Sequence, residues 1–183
     1  KKVKSIDFDN FEAGYMAGAA CAQITTTQKI GFIGGSKDKV ILDFENGFRA
    51  AAAKSKTGSK PLEILSEYIS EGVEGYSDPA SGDRIASAMY DKGCDIIFAA
   101  AGASGLGAIE AAKKRKKYIV GVDSDQDSIA PGCVVTSVIK RLDNAIINLS
   151  KDIAENRLAA ESVTYGFGNA GLTFSAFKHT KSK

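Results

Sequence analysis

The sequence is poor in the residues on which many functional sites depend. Its single histidine, His179, lies in a basic stretch near the C-terminus. Its three cysteines, Cys21, Cys94 and Cys133, are widely spaced and form no C-x-x-C pair. This pattern fits neither a disulfide framework nor a zinc site. The net charge of +2 is too small to indicate nucleic-acid binding.

Long apolar segments are also lacking. No run approaches the roughly 18–20 residues needed to cross a bilayer. The opening residues, KKVKSIDFDN, have neither the apolar core nor the cleavage site of a signal peptide. We therefore expect either a cytosolic protein or one whose targeting segment lies outside these 183 residues. The composition is that of a soluble globular domain.

Strand-like and helix-like segments alternate along the chain. Runs such as DIIFAAA and YIVGV are typical of strands that are buried on both faces of a sheet. Asp9 or Asn10 is expected to cap the first helix, and Asp78, followed by Pro79, a later one. The alternation predicts an α/β fold, a parallel, doubly wound three-layer sandwich. Strands are predicted at 3–8, 29–35, 62–69, 94–100, 118–123 and 134–140, with helices at 10–23, 40–55, 78–93, 105–117 and 142–158, and two short strand-like segments follow at 161–167 and 171–177.

In open parallel sheets, ligands bind beyond the carboxyl ends of the strands. Two carboxylates, Asp123 and Asp125, follow the strand YIVGV at such an end. With Asp127 they alternate as in a calcium-binding loop. However, Ser128 and Val134 occupy the positions where that loop requires glycine and glutamate, so the spacing disfavours calcium.

Acid–base catalysis at the carboxylates would need a partner residue. No cysteine has a histidine to activate it, and the loop GASGLG (Gly102–Gly107) lacks the G-x-S-x-G spacing of a nucleophile elbow. This loop follows a strand and opens a helix, so both an anion-binding loop and a simple tight turn remain open. The run KKRKK at the end of that helix is typical of a solvated helix terminus.

The remaining interpretation is that the strand ends hold a polyol. An ionised aspartate accepts hydrogen bonds from vicinal hydroxyl groups, which suits Asp123 and Asp125. Lys140, which ends the next strand, would donate to the same oxygens. Phe98 and Tyr76 are candidates to cover a base or a sugar face. Taken alone, Asp123 is also compatible with a turn or helix-capping role, and for Phe98, inside IIFAA, a core position is favoured.

The segments DNFEAGYMAGAACAQ, FAAAGASGLG, GVDSDQD and TSVIKR occur together at intervals that resemble the basic membrane protein (Bmp) family of nucleoside-binding lipoproteins. The resemblance implies a type I periplasmic-binding-protein fold and the substrate-binding role in an ABC importer of purine nucleosides, without catalysis or a cofactor. It implies that Asp123 and Lys140 hold the ribose and that Gly102 offers a backbone contact. Phe98 and Asn10 are further candidates for ligand binding.

Family members have two lobes, and residues 1–183 resemble the second lobe, with crossover segments near 3–10 and 134–160. The first lobe, the signal peptide and the lipid-anchoring cysteine are then expected outside this sequence. The resemblance places the full-length protein outside the cytoplasm on the cell membrane, with a permease as its partner. The 183-residue chain itself is expected to be soluble.

Leu142, Ile146, Leu149 and Ile153 form an apolar stripe on the last predicted helix. Without a first lobe to cover the stripe, we expect a homodimer or a domain-swapped assembly. Half a cleft supplies half the contacts, so nucleoside binding by the isolated chain is expected to be weak or absent. The alternatives are a ligand-sensing regulatory domain of the same fold and a nucleoside- or sugar-processing enzyme.

Overall fold

The computed structural model describes residues 3–55 and 61–180. Strands and helices alternate in the predicted order, with bounds that agree closely with the sequence pattern. The strands are β1 Ser5–Phe8, β2 Lys29–Gly34, β3 Glu63–Tyr68, β4 Ile96–Ala100, β5 Tyr118–Asp123, β6 Val134–Lys140, β7 Ser162–Tyr165 and β8 Leu172–Phe174. The helices are α1 Asn10–Ile24, α2 Lys39–Lys54, α3 Pro79–Asp91, α4 Ser104–Arg115 and α5 Leu142–Ala154.

Six strands form the main sheet in the order β3-β2-β4-β5-β6-β8. Side chains alternate between its faces, so that Phe32 and Phe98 pack with α1 and α2, while Ile33 and Ile97 pack with α3 and α4. These two apolar layers enclose the sheet and confirm the doubly wound three-layer sandwich. Gly14 allows α1 to lie against α2, because a Cβ there would come 2.0 Å from the backbone oxygen of Phe44.

Two features of strand pairing are not evident from the alternation. β1 pairs in parallel with β7 in a separate two-stranded sheet, and β8 joins the main sheet antiparallel to β6. Both pairings join segments that are far apart in sequence. The chain thus passes from the main sheet through α5 to β7 and returns to the sheet edge at β8.

The predicted helix caps are present. The Asp9 carboxylate accepts a hydrogen bond from the N–H of Glu12 at 2.8 Å. The carboxylate of Asp78 accepts one from the N–H of Ser81 at 3.0 Å, with Pro79 as the first helical residue. These caps fix the starts of α1 and α3 by satisfying N–H groups that have no partner within the helix.

The helix α5 presents an apolar face to solvent. Leu142, Ile146 and Ile153 are each slightly more than half exposed, and Ile147 beside them is 51% exposed. Ala145 is the buried residue of this helix. Leu149 is partly buried. The predicted stripe is therefore largely uncovered in the described structure.

Candidate functional site

A cavity of about 240 Å³ opens at the carboxyl ends of the main-sheet strands. It is formed by residues that follow or end β2, β4, β5 and β6, together with the start of α2. The lining residues are Asp38, Val40, Ile41, Phe44, Tyr76, Ala100, Gly102, Val122, Asp123 and Lys140. The structure thus brings Asp123, Lys140 and Gly102, which lie on three different connections, to one cavity.

Asp123 and Lys140 form an ion pair at the cavity, with 3.1 Å between Lys140 Nζ and Asp123 Oδ1. The Lys140 side chain is 22% exposed and that of Asp123 is 57% exposed, so the carboxylate remains open to a ligand. The ammonium group lies 4.9 Å from the centre of the Phe44 ring, a cation–π contact that restrains it. Asp123 has φ +65°, a left-handed conformation that aspartate adopts more readily than most residues.

Tyr76 forms an aromatic wall of the cavity, on a short 3-10 turn, Val73–Tyr76, before α3. Its hydroxyl donates a hydrogen bond to Asp38 Oδ2, and Asp38 Oδ1 accepts from the N–H of Ile41 at 3.1 Å. Burial and the bond to Asp38 raise the pKa of Tyr76 above its usual value. The hydrogen bond to Asp38 holds the Tyr76 ring in place.

Gly102 packs directly against Tyr76. Its φ of +54° favours glycine, and a Cβ there would come 3.1 Å from the backbone oxygen of Tyr76. The N–H of Ala103 donates to that same oxygen at 2.9 Å. A side chain at residue 102 would crowd Tyr76, and the positive φ also favours glycine there.

Phe98 does not reach the cavity, which corrects the expectation that it contacts a ligand. Its side chain is fully buried, and its ring centre lies about 6 Å from those of Phe32, Phe44 and Phe48. The physical reason is its position inside β4 rather than at the strand end. It points into the layer that α1 and α2 cover.

Asn10 and Asp125 lie outside the set of residues that lines the cavity. Asn10 begins α1, and its Oδ1 atom is buried without a hydrogen-bond partner in the described part of the chain. Asp125 accepts a bond from the N–H of Asp127 at 3.0 Å and lies 3.5 Å from Lys178 Nζ. The N–H of Asp127, more than Lys178, lowers the pKa of Asp125.

The sequence interpretation did not single out Asp38 or Phe44 for the site. Asp38 carries a readable signal, because it follows the carboxyl end of β2 and caps α2. Phe44 was recognisable as an apolar helix residue, but its contact with Lys140 depends on how α2 packs across the sheet.

Neither a metal centre nor a membrane span is found within residues 3–55 and 61–180. No group of three or more His, Cys, Asp or Glu side chains in these ranges is placed to hold a metal ion. No helix among them combines the length and the apolar character needed to cross a bilayer. The three aspartates of the calcium-like spacing have separate contacts: Asp123 at the cavity, Asp125 in its turn, and Asp127 among buried serines.

Comparison with known proteins identifies relatives of the whole chain. A family model described as Bmp, ABC transporter substrate-binding protein PnrA-like, matches residues 1–183. Basic membrane protein D of Borreliella burgdorferi (strain JD1) is 39% identical over 186 residues, which cover 100% of this chain and 52% of the relative. The ABC transporter nucleoside-binding protein BmpA of Lactococcus lactis subsp. cremoris (strain MG1363) is 32% identical over 190 residues, covering 94% and 52%.

Solved structures agree on the fold. The crystal structure of an ABC transporter system solute-binding protein from Aeropyrum pernix K1 matches with a TM-score of 0.84 at 23% identity, over 94% of this chain and 50% of that one. The fold is that of type I periplasmic binding proteins. The chain spans about half the length of the curated relatives it matches. The sequence and family model together show that this chain belongs to the Bmp family of PnrA-like ABC transporter substrate-binding proteins, which are not enzymes.

Proposed function

We propose that this chain forms one half of a purine nucleoside site in an extracytoplasmic receptor that delivers its ligand to an ABC permease. The observation that carries the proposal is the Asp123–Lys140 pair at 3.1 Å, open to a cavity whose aromatic wall is Tyr76. The relative from Lactococcus lactis is itself named a nucleoside-binding protein.

The pair has the chemistry to hold a ribose. Each sugar hydroxyl is both a donor and an acceptor, whereas a carboxylate only accepts and an ammonium only donates. Two vicinal hydroxyls can therefore donate to Asp123 and accept from Lys140 at once. These charge-assisted bonds are the stronger kind, and the half-exposed carboxylate is available to make them.

The cavity walls suit the remaining parts of a nucleoside. Tyr76 offers a ring face for stacking against a base, and its hydroxyl is already bonded to Asp38. The positive φ of Gly102 and its contact with Tyr76 keep the backbone close to the ligand space, so Gly102 is proposed as a main-chain contact. Asn10 and Asp125 are proposed as peripheral residues at most, since the cavity lining does not include them.

The cavity is smaller than a complete ligand site. Ligand pockets typically enclose about 300–1,000 Å³, and this one holds about 240 Å³. We propose that residues 1–183 are a single lobe and that 3–10 and 134–160 are crossover segments to another. The separate β1–β7 pair, the uncovered face of α5 and the half-length match to relatives support this division. A lipid anchor would belong to the complete protein.

The division has consequences for the 183-residue chain on its own. Nucleoside affinity would be weak or absent, because the other half of the contacts and lobe closure are missing. A second copy of the chain is proposed to cover the apolar face of α5 in a homodimer or domain-swapped assembly. Apolar residues that are half exposed on one helix, Leu142, Ile146, Ile147 and Ile153, favour such self-association.

Isothermal titration calorimetry of the complete gene product that carries this sequence tests the proposal. Adenosine, guanosine and inosine are titrated beside cytidine, the free bases and ribose. We expect at least one purine nucleoside to bind more tightly than its own base and than ribose, since both halves of the ligand are contacted. Binding of a free sugar in preference to every nucleoside would contradict the proposal.

A further inference from the structure

A buried polar cluster lies directly behind the proposed site. Its centre is the Asp127 carboxylate, whose residue is only 2% exposed. Asp127 Oδ1 accepts hydrogen bonds from Ser137 Oγ at 3.0 Å and from Ser175 Oγ at 2.8 Å, and Oδ2 lies 2.9 Å from Ser175 Oγ. A carboxylate is costly to bury unless it is hydrogen-bonded, so these two hydroxyls are what keep Asp127 inside.

The cluster joins three segments of the chain, of which the one that carries Ser175 is 48 residues from Asp127. Asp127 belongs to the loop after β5, Ser137 lies within β6, and Ser175 directly follows β8. Ser175 is held by main-chain and side-chain bonds together: its N–H donates to the Ser137 carbonyl at 2.9 Å, and its Oγ accepts from the Ser137 N–H at 2.8 Å. Asp127 is thus fixed against two strands of the main sheet.

From this cluster the contacts lead back to Asp123. The N–H of Gln126 donates to Ser137 Oγ at 3.0 Å, and Gln126 Oε1 accepts from the N–H of Val122 at 3.1 Å. Val122 directly precedes Asp123, whose φ is +65°. Aspartate adopts this left-handed conformation more readily than most residues, and the contacts of the loop hold it there. The loop after β5 is held at both ends, by Val122 and by Asp127.

We propose that Asp127 is a positioning residue for the nucleoside site. By binding Ser137 and Ser175, it sets the loop that presents the Asp123 carboxylate beside Lys140, and it does so without touching the ligand. This inference rests on the proposed function, because it assigns Asp127 to the geometry of the same ribose contact.

A matched control exists at the opposite edge of the sheet. Asp95, directly before β4, is 6% exposed. It accepts bonds from Thr25 Oγ1 at 2.7 Å and from the N–H of Thr26 at 2.6 Å. Like Asp127, Asp95 is buried and hydrogen-bonded, but it lies at the amino ends of the strands and does not line the cavity. A general loss of stability would be common to both aspartates, whereas a loss of ligand positioning would be specific to Asp127.

The experiment measures nucleoside affinity for Asp127→Asn, Asp95→Asn, Asp123→Asn and the double variant Asp127→Asn/Asp123→Asn. Each is made in the complete gene product, checked for folding by circular dichroism and titrated with adenosine, guanosine and inosine. We expect Asp127→Asn to weaken binding by up to about tenfold, because the loop loses the charged anchor that positions Asp123 and the loss is bounded by the worth of the Asp123 contact itself. Asp95→Asn is expected to bind as the wild type does. In the Asp123→Asn background, Asp127→Asn is expected to cause a smaller loss, because the two act through one contact of which the asparagine keeps only a part.

Three results would overturn the inference. One is an unchanged affinity for Asp127→Asn, and another is an equal loss for Asp95→Asn. The third is a loss that persists in full when Asp123 is already replaced. If Asp123→Asn weakens binding and Asp127→Asn does not, only the role of Asp127 fails. If Asp123→Asn itself leaves the affinity unchanged, the proposed function fails as well. Should Asp127→Asn not fold, Ser175→Ala removes the Ser175 contacts and is expected to weaken binding in the same Asp123-dependent way.

Discussion

The substitution Asp123→Asn exchanges one carboxylate oxygen for an amide group while keeping the shape of the side chain. Asparagine also tolerates the φ of +65° at this position. The Asp123 side chain is 57% exposed, and its ion pair with Lys140 is partly solvated. Such pairs contribute about 0–1 kcal/mol to stability, so we expect little change in the free energy of unfolding.

The effect on binding is expected to be larger. A hydrogen bond to a charged group is worth about 1.5–3 kcal/mol, which corresponds to roughly 10–150-fold in affinity. The asparagine keeps one oxygen as an acceptor and loses the other, so we expect a loss near the lower end, about tenfold. A large change in affinity without a matching change in stability is the signature of a ligand contact.

Calorimetry with a ribonucleoside and its 2′-deoxy and 2′,3′-dideoxy analogues gives the sharpest readout. The wild type should lose affinity for each hydroxyl removed, whereas Asp123→Asn should discriminate less among the three ligands. Asp83→Asn is the matched control, because Asp83 is a surface carboxylate paired with Lys114 on another part of the molecule. An unchanged ribose-to-deoxyribose ratio in Asp123→Asn would refute the reasoning.

Three further outcomes follow from the geometry. Tyr76→Leu should weaken purine nucleoside binding by about 0.5–1.5 kcal/mol beyond the effect of the apolar contact area that is lost. Tyr76→Phe loses only the hydrogen bond to Asp38 and should bind more nearly as the wild type does. Equal losses for the two variants in calorimetry would contradict a stacking role. Burial raises the pKa of Asp95, but hydrogen bonds from Thr25, Thr26 and Thr27 outweigh it and lower the pKa overall. The stabilisation by these hydrogen bonds is therefore present at pH values above about 3.9, the usual pKa of aspartate, and is lost as the pH falls through the lower pKa of Asp95 in the folded state. Asp95→Asn should lower the free energy of unfolding at neutral pH and make it decline less steeply with acid in urea titrations. An unaltered decline would count against this. Light scattering of the 183-residue chain above micromolar concentration should show a dimer that Ile146→Glu disrupts; a monomer before substitution would rule out the proposed assembly.

Much of the fold follows from local sequence pattern. Short apolar runs separated by capped helical segments indicated the doubly wound sheet, because strands buried on both faces cannot alternate polar residues. The same logic placed Asp123, Gly102 and Lys140 at the carboxyl edge, where the structure brings them to one cavity. What each of them contacts in a ligand stays a prediction.

Phe98 and Asp127 show what the local sequence pattern leaves undecided. Phe98 was a candidate for the site because it is aromatic, although a core position was the more probable interpretation of its sequence context, and its side chain lies in the layer that α1 and α2 cover. Asp127 was considered only within a calcium-like spacing. Its partner Ser175 lies 48 residues further on and meets it through the antiparallel pairing of β8. Long-range pairing of this kind has no local signal, so one sequence does not indicate it.

The most direct measurement is a crystal structure of the complete gene product grown with a purine nucleoside. We expect the ribose hydroxyls within hydrogen-bonding distance, about 3 Å, of the Asp123 carboxylate and Lys140 Nζ, with the base against Tyr76. A nucleoside bound elsewhere, with the Asp123–Lys140 pair still facing water, would contradict this expectation.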